Sequence, residues 1–478
     1  MAQAILPQVE GGRLSVTVVP KAQGCGSMGQ VCGSLDQVST AVEQEDPRAS
    51  ERGAFGGRVS RIGGWLAVRG ETDNYLQGLA KDAKDASRSS VAWNAKVQEF
   101  YEYACANALV RMKLEQGIAE GNSLPQAAKP LYFENMFELF QIINYVVTTV
   151  SPAFDNPNTD GLVGCPLNAF LDCLMFTPAG QDFFNTNKVN EHVKEILTVW
   201  CQFLDSPAST MYLNDRSPDG WYSKEAKPFI NMDDFIVELP NDPAKYPSWN
   251  AFFMRKFKPG VRPVAAPEAW NNKIITSGCE SKALHVSLKP VKLQDTFWLK
   301  AQPYSLQDIF ALDAKLAGVD TKALAEKFVG GCVYQAFLSA CSYHCWHSPV
   351  NGKIKHLYIV PGGIGTYYSE LMVAGFDPEG PDLSQGYLSA VAVRTIFIIE
   401  ADDPSIGDMA VVQIGMAEVS SCVALVKQGD KVKKGDLIGE FKFGGSTFLN
   451  IFRKGVIKEF CVKPGDRVLL NTQLAIAN

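Results

Sequence analysis

The chain has 478 residues, of which 46% are hydrophobic and 20% charged, a composition typical of a globular protein with two or three domains. A net charge of −6 argues against nucleic acid as a partner, because no basic field is available to neutralise phosphates. No apolar run approaches the roughly 20 residues that a membrane-spanning helix needs, and the N-terminus lacks the pattern of a secretory signal. The 12 cysteines include no Cys-x-x-Cys pair, unlike a zinc or disulfide framework. We therefore expect a cytoplasmic protein with mostly reduced thiols and no transmembrane segment.

In chain order, residues 1–55 come first and are rich in Gly, Ser, Gln and Ala, so we expect a flexible segment. Residues 56–215 follow, with apolar side chains recurring at helical steps, which predicts a helical domain. The clearest repeats are Phe133, Met136, Phe137 and Phe140, and then Val193, Ile196, Leu197, Trp200 and Phe203. A connector rich in Pro and Asp is predicted over residues 216–265.

Residues 266–478 change to short β-branched runs separated by Gly, Pro and Asp, as in a β-rich domain. One heptapeptide, at residues 426–432 and again at 462–468, has the form Val-Lys-x-Gly-Asp-Lys/Arg-Val and predicts two paired hairpins. This texture is similar to the hammerhead of lipoyl and biotinyl carrier domains. Those carriers present a lysine between the two halves, whereas this chain has Gly-Gly-Ser-Thr at 444–447. The expected fold class is α+β, a helical domain followed by a lipoyl/hammerhead-like catalytic domain.

The segment Gly444-Gly445-Ser446-Thr447 can carry chemistry. Two glycines permit unusual backbone angles, and the hydroxyl of Ser446 lies one peptide bond from the Gly445 carbonyl. With a base to remove its proton, that oxygen can attack the carbonyl and exchange the amide for an ester. Elimination and hydrolysis would then leave a pyruvoyl group at a new N-terminus. A flexible structural turn is the alternative reading.

A base is available in the segment 343–352, which reads Tyr-His-Cys-Trp-His-Ser-Pro-Val-Asn-Gly. His344 or His347 could serve, provided that an acid orients it, and Glu280 in Ser-Gly-Cys-Glu-Ser is the candidate acid. Two alternatives stay open for these histidines. One is a purely structural pair, and the other is a metal site with Cys341 and Cys345. The metal site is disfavoured because four ligands within seven residues cannot easily close a tetrahedron.

These pieces, in this order, resemble the phosphatidylserine decarboxylase family of pyruvoyl enzymes over residues 249–478. The matching motifs are Phe252-Phe253-Met254-Arg255 with Arg262-Pro263, Lys300 with Tyr304-Ser305-Leu306, the histidine segment, Gly415-Met416-Ala417-Glu418-Val419, and the Gly-Gly-Ser-Thr site.

The resemblance implies a triad of Glu280, His344 and Ser446, with His347 as a second pocket residue and no metal. It also implies cleavage between Gly445 and Ser446, a covalent pyruvoyl cofactor made from Ser446, and a possible homodimer of two-chain protomers. The reaction implied is decarboxylation through a Schiff base, with His344 or His347 handling the proton.

Two features separate this chain from the lipid enzymes. Glu280 stands where the family usually has Asp, and the stretch beginning at Gly415 is bulkier and more acidic; an insertion over residues 362–386 is an additional difference. The region from about Gly64 to Lys224 resembles the extra domain of soluble fungal L-tryptophan decarboxylases of the psilocybin-pathway type. We therefore expect an aromatic amino acid such as L-tryptophan, giving tryptamine, as the substrate. The alternatives are phosphatidylserine, a metal-dependent hydrolase, and a non-catalytic lipoyl-like binding module.

Overall fold

The computed structural model describes residues 71–88, 92–123, 132–154, 165–175, 177–266, 272–293, 297–299, 302–312, 318–339, 341–361, 389, 391–415, 421–442 and 446–478. All of these belong to one compact unit. Residues 1–70, the insertion at 362–386 and Lys300 lie outside the described residues. Within the described part, no helix is long and apolar enough to cross a membrane.

The N-terminal part is helical, as the sequence predicts. Its helices are α1 (Glu71–Arg88), α2 (Ala95–Ala106), α3 (Ala108–Asn122), α4 (Met136–Thr149), α5 (Pro166–Met175), α6 (Pro178–Phe184) and α7 (Asn187–Leu204). Short polar side chains begin several of them by accepting a backbone N–H: Asn94 from Lys96, Asn135 from Glu138, and Thr177 from Gly180. Two 3₁₀ turns follow, at Pro207–Thr210 and Met232–Asp234.

The predicted apolar stripes correspond well to the observed helices. In α7, Val193, Ile196, Leu197 and Trp200 are buried, and Phe203 packs at the edge of the same core. In the other stripe, Phe133 precedes α4 and Phe137 is 48% exposed, so only Met136 and Phe140 lie on the buried face of that helix. The exposed Phe137 ring instead stacks on Trp93 at 5.4 Å.

The C-terminal part is β-rich, and three short helices accompany its strands. The helices are α8 (Trp249–Phe253), α9 (Leu306–Ile309) and α10 (Thr321–Glu326). The strands are β1 (Ile274–Thr276), β2 (Ser281–Ser287), β3 (Phe297–Leu299), β4 (Gln302–Tyr304), β5 (Cys332–Leu338), β6 (Cys345–His347), β7 (Gly352–Val360), β8 (Arg394–Ala401), β9 (Asp408–Gly415), β10 (Ser421–Ala424), β11 (Lys431–Val432), β12 (Leu437–Lys442), β13 (Ser446–Phe452), β14 (Ile457–Phe460), β15 (Arg467–Val468) and β16 (Gln473–Ala477).

Eight of these strands form one antiparallel sheet in the order β11-β7-β8-β9-β13-β5-β2-β15. Alternate residues point to opposite faces, and both faces are covered. On one face, Leu449, Val412 and Ile396 pack against helices α9 and α10. On the other, Phe448 and Phe397 join a single apolar core that extends into the helical part. Smaller sheets, β1-β16-β14 and β10-β12-β6, complete the β-rich part.

The repeated heptapeptide forms two matching turns, but the predicted hairpin pairing is wrong. Asp430 accepts the N–H of Lys427, and Asp466 accepts the N–H of Lys463, in the same geometry. The glycine in each turn, Gly429 or Gly465, has a positive φ that glycine adopts without strain. The strands on either side of each turn do not pair with one another: β11 pairs with β7 and β15 pairs with β2, at opposite edges of the large sheet. Each short strand that follows a turn therefore extends the large sheet at one of its edges.

Candidate active site

Ser446 lies in the middle of the large sheet, at the first residue of β13. Its Cα is paired on one side with Gly415, the last residue of β9, and on the other with Leu338, the last residue of β5. Residues 443–445, which include Gly445, and the side chain of Ser446 lie outside the described part of the chain, as do residues 416–420. The Gly445–Ser446 bond therefore immediately precedes a strand that is fixed by hydrogen bonds on both sides.

His344 is completely buried beside this strand start. Its ring stacks on Phe253 of α8, with centroids 4.1 Å apart, and meets the edge of Phe441 at 6.2 Å. Nε2 lies 2.8 Å from the carbonyl oxygen of Ser339. A carbonyl can only accept, so Nε2 carries the proton and the lone pair is on Nδ1. No hydrogen-bond partner of Nδ1 is found among the described residues.

The chain connectivity brings His344 close to Ser446. Its acceptor, Ser339, directly follows Leu338, which is the cross-strand partner of Ser446. Phe441, which touches the His344 ring, belongs to the strand that leads into residues 443–445. Burial, and to a smaller extent the nearby Arg255 guanidinium, lower the pKa of His344 to about 3. The imidazole is therefore neutral at physiological pH, with an unprotonated Nδ1.

His347 has partners at both ring nitrogens. Nδ1 donates to the carbonyl oxygen of Gly435 at 2.7 Å, so Nε2 is the accepting nitrogen, and it lies 2.9 Å from the Tyr343 hydroxyl. Burial lowers the pKa of His347 to about 4. This histidine is also neutral, but its basic nitrogen is covered by a phenol.

Glu280 forms an ion pair on the other side of the histidine segment. Its Oε1 accepts from Arg262 Nε at 2.5 Å and from the backbone N–H of Leu470 at 3.2 Å. The ring nitrogen of His344 bonds to Ser339, so the structure does not connect Glu280 to His344 by a hydrogen bond. The His344 ring N–H is instead bonded to a backbone carbonyl, and the assignment of Glu280 as the acid of the triad stays a prediction.

Glu280 acts electrostatically on Tyr343, whose hydroxyl is hydrogen-bonded to His347. Burial raises the pKa of Tyr343, and the Glu280 carboxylate is among the charges that raise it further. The guanidinium of Arg262 lies 4.5 Å above the Phe257 ring, which in turn contacts Tyr343 at 4.5 Å. Glu280, Arg262 and Tyr343 thus form one side of the site, and the Tyr343 hydroxyl connects that side to His347.

Arg255 has a structural role that the Phe-Phe-Met-Arg motif alone did not indicate. The side chain is buried between Phe235 and Phe252, and its two terminal nitrogens donate to the carbonyl oxygens of Phe252 and Cys341, each at 3.2 Å. The contact with Cys341 holds the loop that carries Ser339 and His344. Tyr343 stands beside His344 in the sequence and could have been singled out as a polar group; no sequence signal marks the Ser339 carbonyl.

The cysteines of the histidine segment are arranged differently from a metal site. Cys345 Sγ lies 3.0 Å from Lys256 Nζ, which also donates to Glu440 at 2.9 Å. Cys341 contributes its carbonyl to Arg255. In the ranges that the structure describes, no cluster of three or more His, Cys, Asp or Glu side chains is arranged to hold a metal ion.

Comparison with known proteins agrees with this architecture. The family model described as Phosphatidylserine decarboxylase matches residues 249–476, and a second model of that name matches residues 94–229. The decarboxylase iboD of Amanita muscaria is 39% identical over 334 residues, covering 65% of this chain and 91% of that protein. The chain belongs to the phosphatidylserine decarboxylase family.

Other members differ in how much of the chain they share. The L-tryptophan decarboxylase of Psilocybe cubensis is 33% identical over 442 residues, covering 86% of this chain and 93% of that protein. Phosphatidylserine decarboxylase proenzyme 3 of Schizosaccharomyces pombe is 31% identical over 234 residues, or 49% of this chain and 22% of that protein. The protein is a decarboxylase, and its similarity to the fungal enzymes extends through the helical part.

Proposed function

We propose that this protein is a self-processing, pyruvoyl-dependent amino-acid decarboxylase that cleaves itself between Gly445 and Ser446. The observation that carries the proposal is Nδ1 of His344, which is buried without a partner among the described residues, on a ring bonded to Ser339, the neighbour of the cross-strand partner of Ser446. His347, by contrast, has partners at both ring nitrogens.

In the processing step, His344 Nδ1 removes the hydroxyl proton of Ser446, and the oxygen attacks the Gly445 carbonyl carbon. The amide nitrogen leaves with a proton, which converts the peptide bond into an ester. Loss of the Ser446 α-proton then breaks the bond between the β-carbon and the ester oxygen. Gly445 leaves as a carboxylate, and residue 446 becomes dehydroalanine. Water hydrolyses its enamine and releases ammonia, so that the chain beginning at residue 446 carries a pyruvoyl group.

The surrounding residues fit a site of this kind. Once formed, the pyruvoyl group supplies an electrophilic carbonyl that draws electrons from the bond to the departing carboxylate. His344 holds a proton acceptor at Nδ1 and is kept in one tautomer by Ser339. His347, covered by Tyr343, is the second proton-handling group. Glu280 acts through Arg262 and Tyr343 rather than through His344, as a positioning acid.

We propose an aromatic amino acid, specifically L-tryptophan, as the substrate. Support comes from the relative named L-tryptophan decarboxylase, whose similarity covers 86% of this chain, whereas the matched phosphatidylserine decarboxylase of fission yeast covers 49%. The helical part lies within the longer match and shares one apolar core with the sheet that carries Ser446.

Product analysis tests this assignment. Purified processed protein incubated with L-tryptophan should release tryptamine and carbon dioxide in equal amounts. Ser446→Ala should remain a single uncut chain without this activity. Formation of phosphatidylethanolamine from phosphatidylserine, with no tryptamine, would overturn the substrate and keep the family chemistry. Activity in an uncut chain would overturn the pyruvoyl assignment itself.

A further inference from the structure

Among the residues that the structure describes, two buried amides on the large sheet have no hydrogen-bond partner for any of their four polar side-chain atoms. They are Gln413 of β9 and Asn450 of β13, and both have 0% exposure. Buried amide groups are normally paired, because leaving them unpaired in a closed interior is costly. The stability of the fold therefore does not explain why these two amides are buried.

Their position relates them to Ser446. Gly415 is directly paired with Ser446, and Gln413 is two residues before Gly415 on the same strand. At about 3.4 Å per residue, Gln413 lies roughly 7 Å along the sheet from that pair. Asn450 is four residues beyond Ser446 and is diagonal to Gln413 across the two strands. An aromatic amino-acid side chain has about the reach needed for Gln413, whereas Asn450 is about 14 Å along the strand from residue 446.

Both amides are on the sheet face that the histidine segment covers. Gln413 is paired with Phe448, whose ring lies against Gly278, and the carbonyl of Gly278 accepts the N–H of His347. Asn450 lies in the same cross-strand row as Phe397, which meets the Trp346 ring at 5.8 Å. The Trp346 indole nitrogen is a third buried group without a partner among the described residues.

Other buried polar side chains on these strands do have hydrogen-bond partners. On the opposite face of the sheet, the Gln335 amide donates to Thr447 Oγ1 at 3.0 Å, and Thr447 in turn donates to the carbonyl of Ala336. Beside Gln413 in its own row, Thr395 donates to the carbonyl of Cys422. On the histidine-facing side, Gln413 and Asn450 thus lie along the strands that carry Gly415 and Ser446, with Gln413 nearer to residue 446.

We propose that Gln413 and Asn450 form a specificity site for the side chain of the substrate, one that recognises an aromatic ring bearing an N–H group such as an indole. The Gln413 carbonyl oxygen accepts the ring N–H, and Asn450 provides a second polar contact one row deeper. The assignment rests on the proposed amino-acid decarboxylase function, because it places the substrate's reacting end at residue 446.

The test compares L-tryptophan with L-phenylalanine, whose ring has no N–H, as substrates of the full-length processed protein. Gln413→Leu, and the closely matched Gln413→Met, should lower kcat/KM for L-tryptophan roughly 10- to 100-fold while changing that for L-phenylalanine less than about threefold. Asn450→Leu should act in the same direction. Cleavage at Ser446 should proceed normally in all three variants.

Thermal stability gives a second readout. Because Gln413 has no internal hydrogen bond to lose, Gln413→Leu should leave Tm unchanged or raise it. The control is Gln141→Leu in α4, where a buried amide donates to Ser87 Oγ at 2.6 Å; this variant should lower Tm and leave the substrate ratio as it was.

Three results would count against the assignment. An unchanged tryptophan-to-phenylalanine ratio in the Gln413 variants overturns it, and so does an equal loss for both substrates. A fall in Tm as large as that of Gln141→Leu would mean that the amide is structurally paired, which also overturns it. If the wild-type protein decarboxylates neither amino acid, the proposed substrate class fails with it, an outcome that is distinguishable because the wild type alone reveals it.

Discussion

Replacing His344 by glutamine separates the basic nitrogen from the other properties of this side chain. Glutamine retains an N–H donor for the Ser339 carbonyl and a similar volume beside Phe253, but it has no basic atom in place of Nδ1. A positioned general base contributes about 10²- to 10⁴-fold to a rate, or roughly 3–5 kcal/mol of the barrier. We therefore expect self-cleavage of His344→Gln to be at least about 100-fold slower than in the wild type.

The assay follows appearance of the fragment 446–478 by gel and mass spectrometry after synthesis in a cell-free system. His347→Gln is the matched control, since its basic nitrogen is already bonded to Tyr343 at 2.9 Å; it should still cleave but lose decarboxylation. If His344→Gln cleaves at the wild-type rate and has a normal melting curve, His344 is not the base for self-cleavage. If His347→Gln is instead the variant that cannot cleave, the base is on the Glu280 side of the site.

Three further predictions concern the supporting contacts. Tyr343→Phe should lower the free energy of unfolding by about 1 kcal/mol, because Nε2 of His347 loses its donor; urea denaturation measures this, and no loss would contradict the contact. Glu280→Ala leaves the Arg262 guanidinium, 17% exposed, without its main partner, and should lower the free energy of unfolding by about 3 kcal/mol. Self-cleavage should persist in this variant below its melting temperature. Loss of cleavage in the folded variant would support Glu280 as the acid for His344. Since His344 and His347 have folded-state pKa values of about 3 and about 4, below the usual 6.5, the unfolded chain takes up protons first as the pH falls. The contribution of these two histidines to the free energy of unfolding is therefore complete above about pH 6.5 and decreases below it, by about 4 kcal/mol at pH 5. In urea titrations at different pH values, His344→Gln should halve that decrease.

The sequence was most informative where local periodicity decides the structure. The spacing of Val193, Ile196, Leu197 and Trp200 identifies the buried face of α7, because a helix places such residues on one side. The β-rich texture after residue 266 likewise led to the correct α+β class. The periodicity that includes Phe137 does not show its exposure, since that ring stacks on Trp93 at the surface of α4.

Pairing between distant segments was harder to predict. The repeated Gly-Asp turns suggested hairpins, but turn chemistry fixes only the four residues of the turn, and each turn bonds to a distant strand instead. Glu280 was assigned as the acid for His344 from its residue type and from the family resemblance. The sequence does not show that Arg262 takes its carboxylate or that the Ser339 carbonyl takes the ring N–H, because a backbone acceptor has no residue type.

The central claim is that residue 446 becomes a pyruvoyl group through cleavage of the Gly445–Ser446 bond. Intact-mass spectrometry of the purified wild-type protein tests it most directly. Two chains are expected, one ending at Gly445 and the other comprising residues 446–478 with a blocked N-terminus whose mass matches pyruvoyl in place of serine. Treatment with phenylhydrazine should add one hydrazone to that second chain alone. A single uncut chain, or a fragment beginning with an unmodified serine, would contradict it.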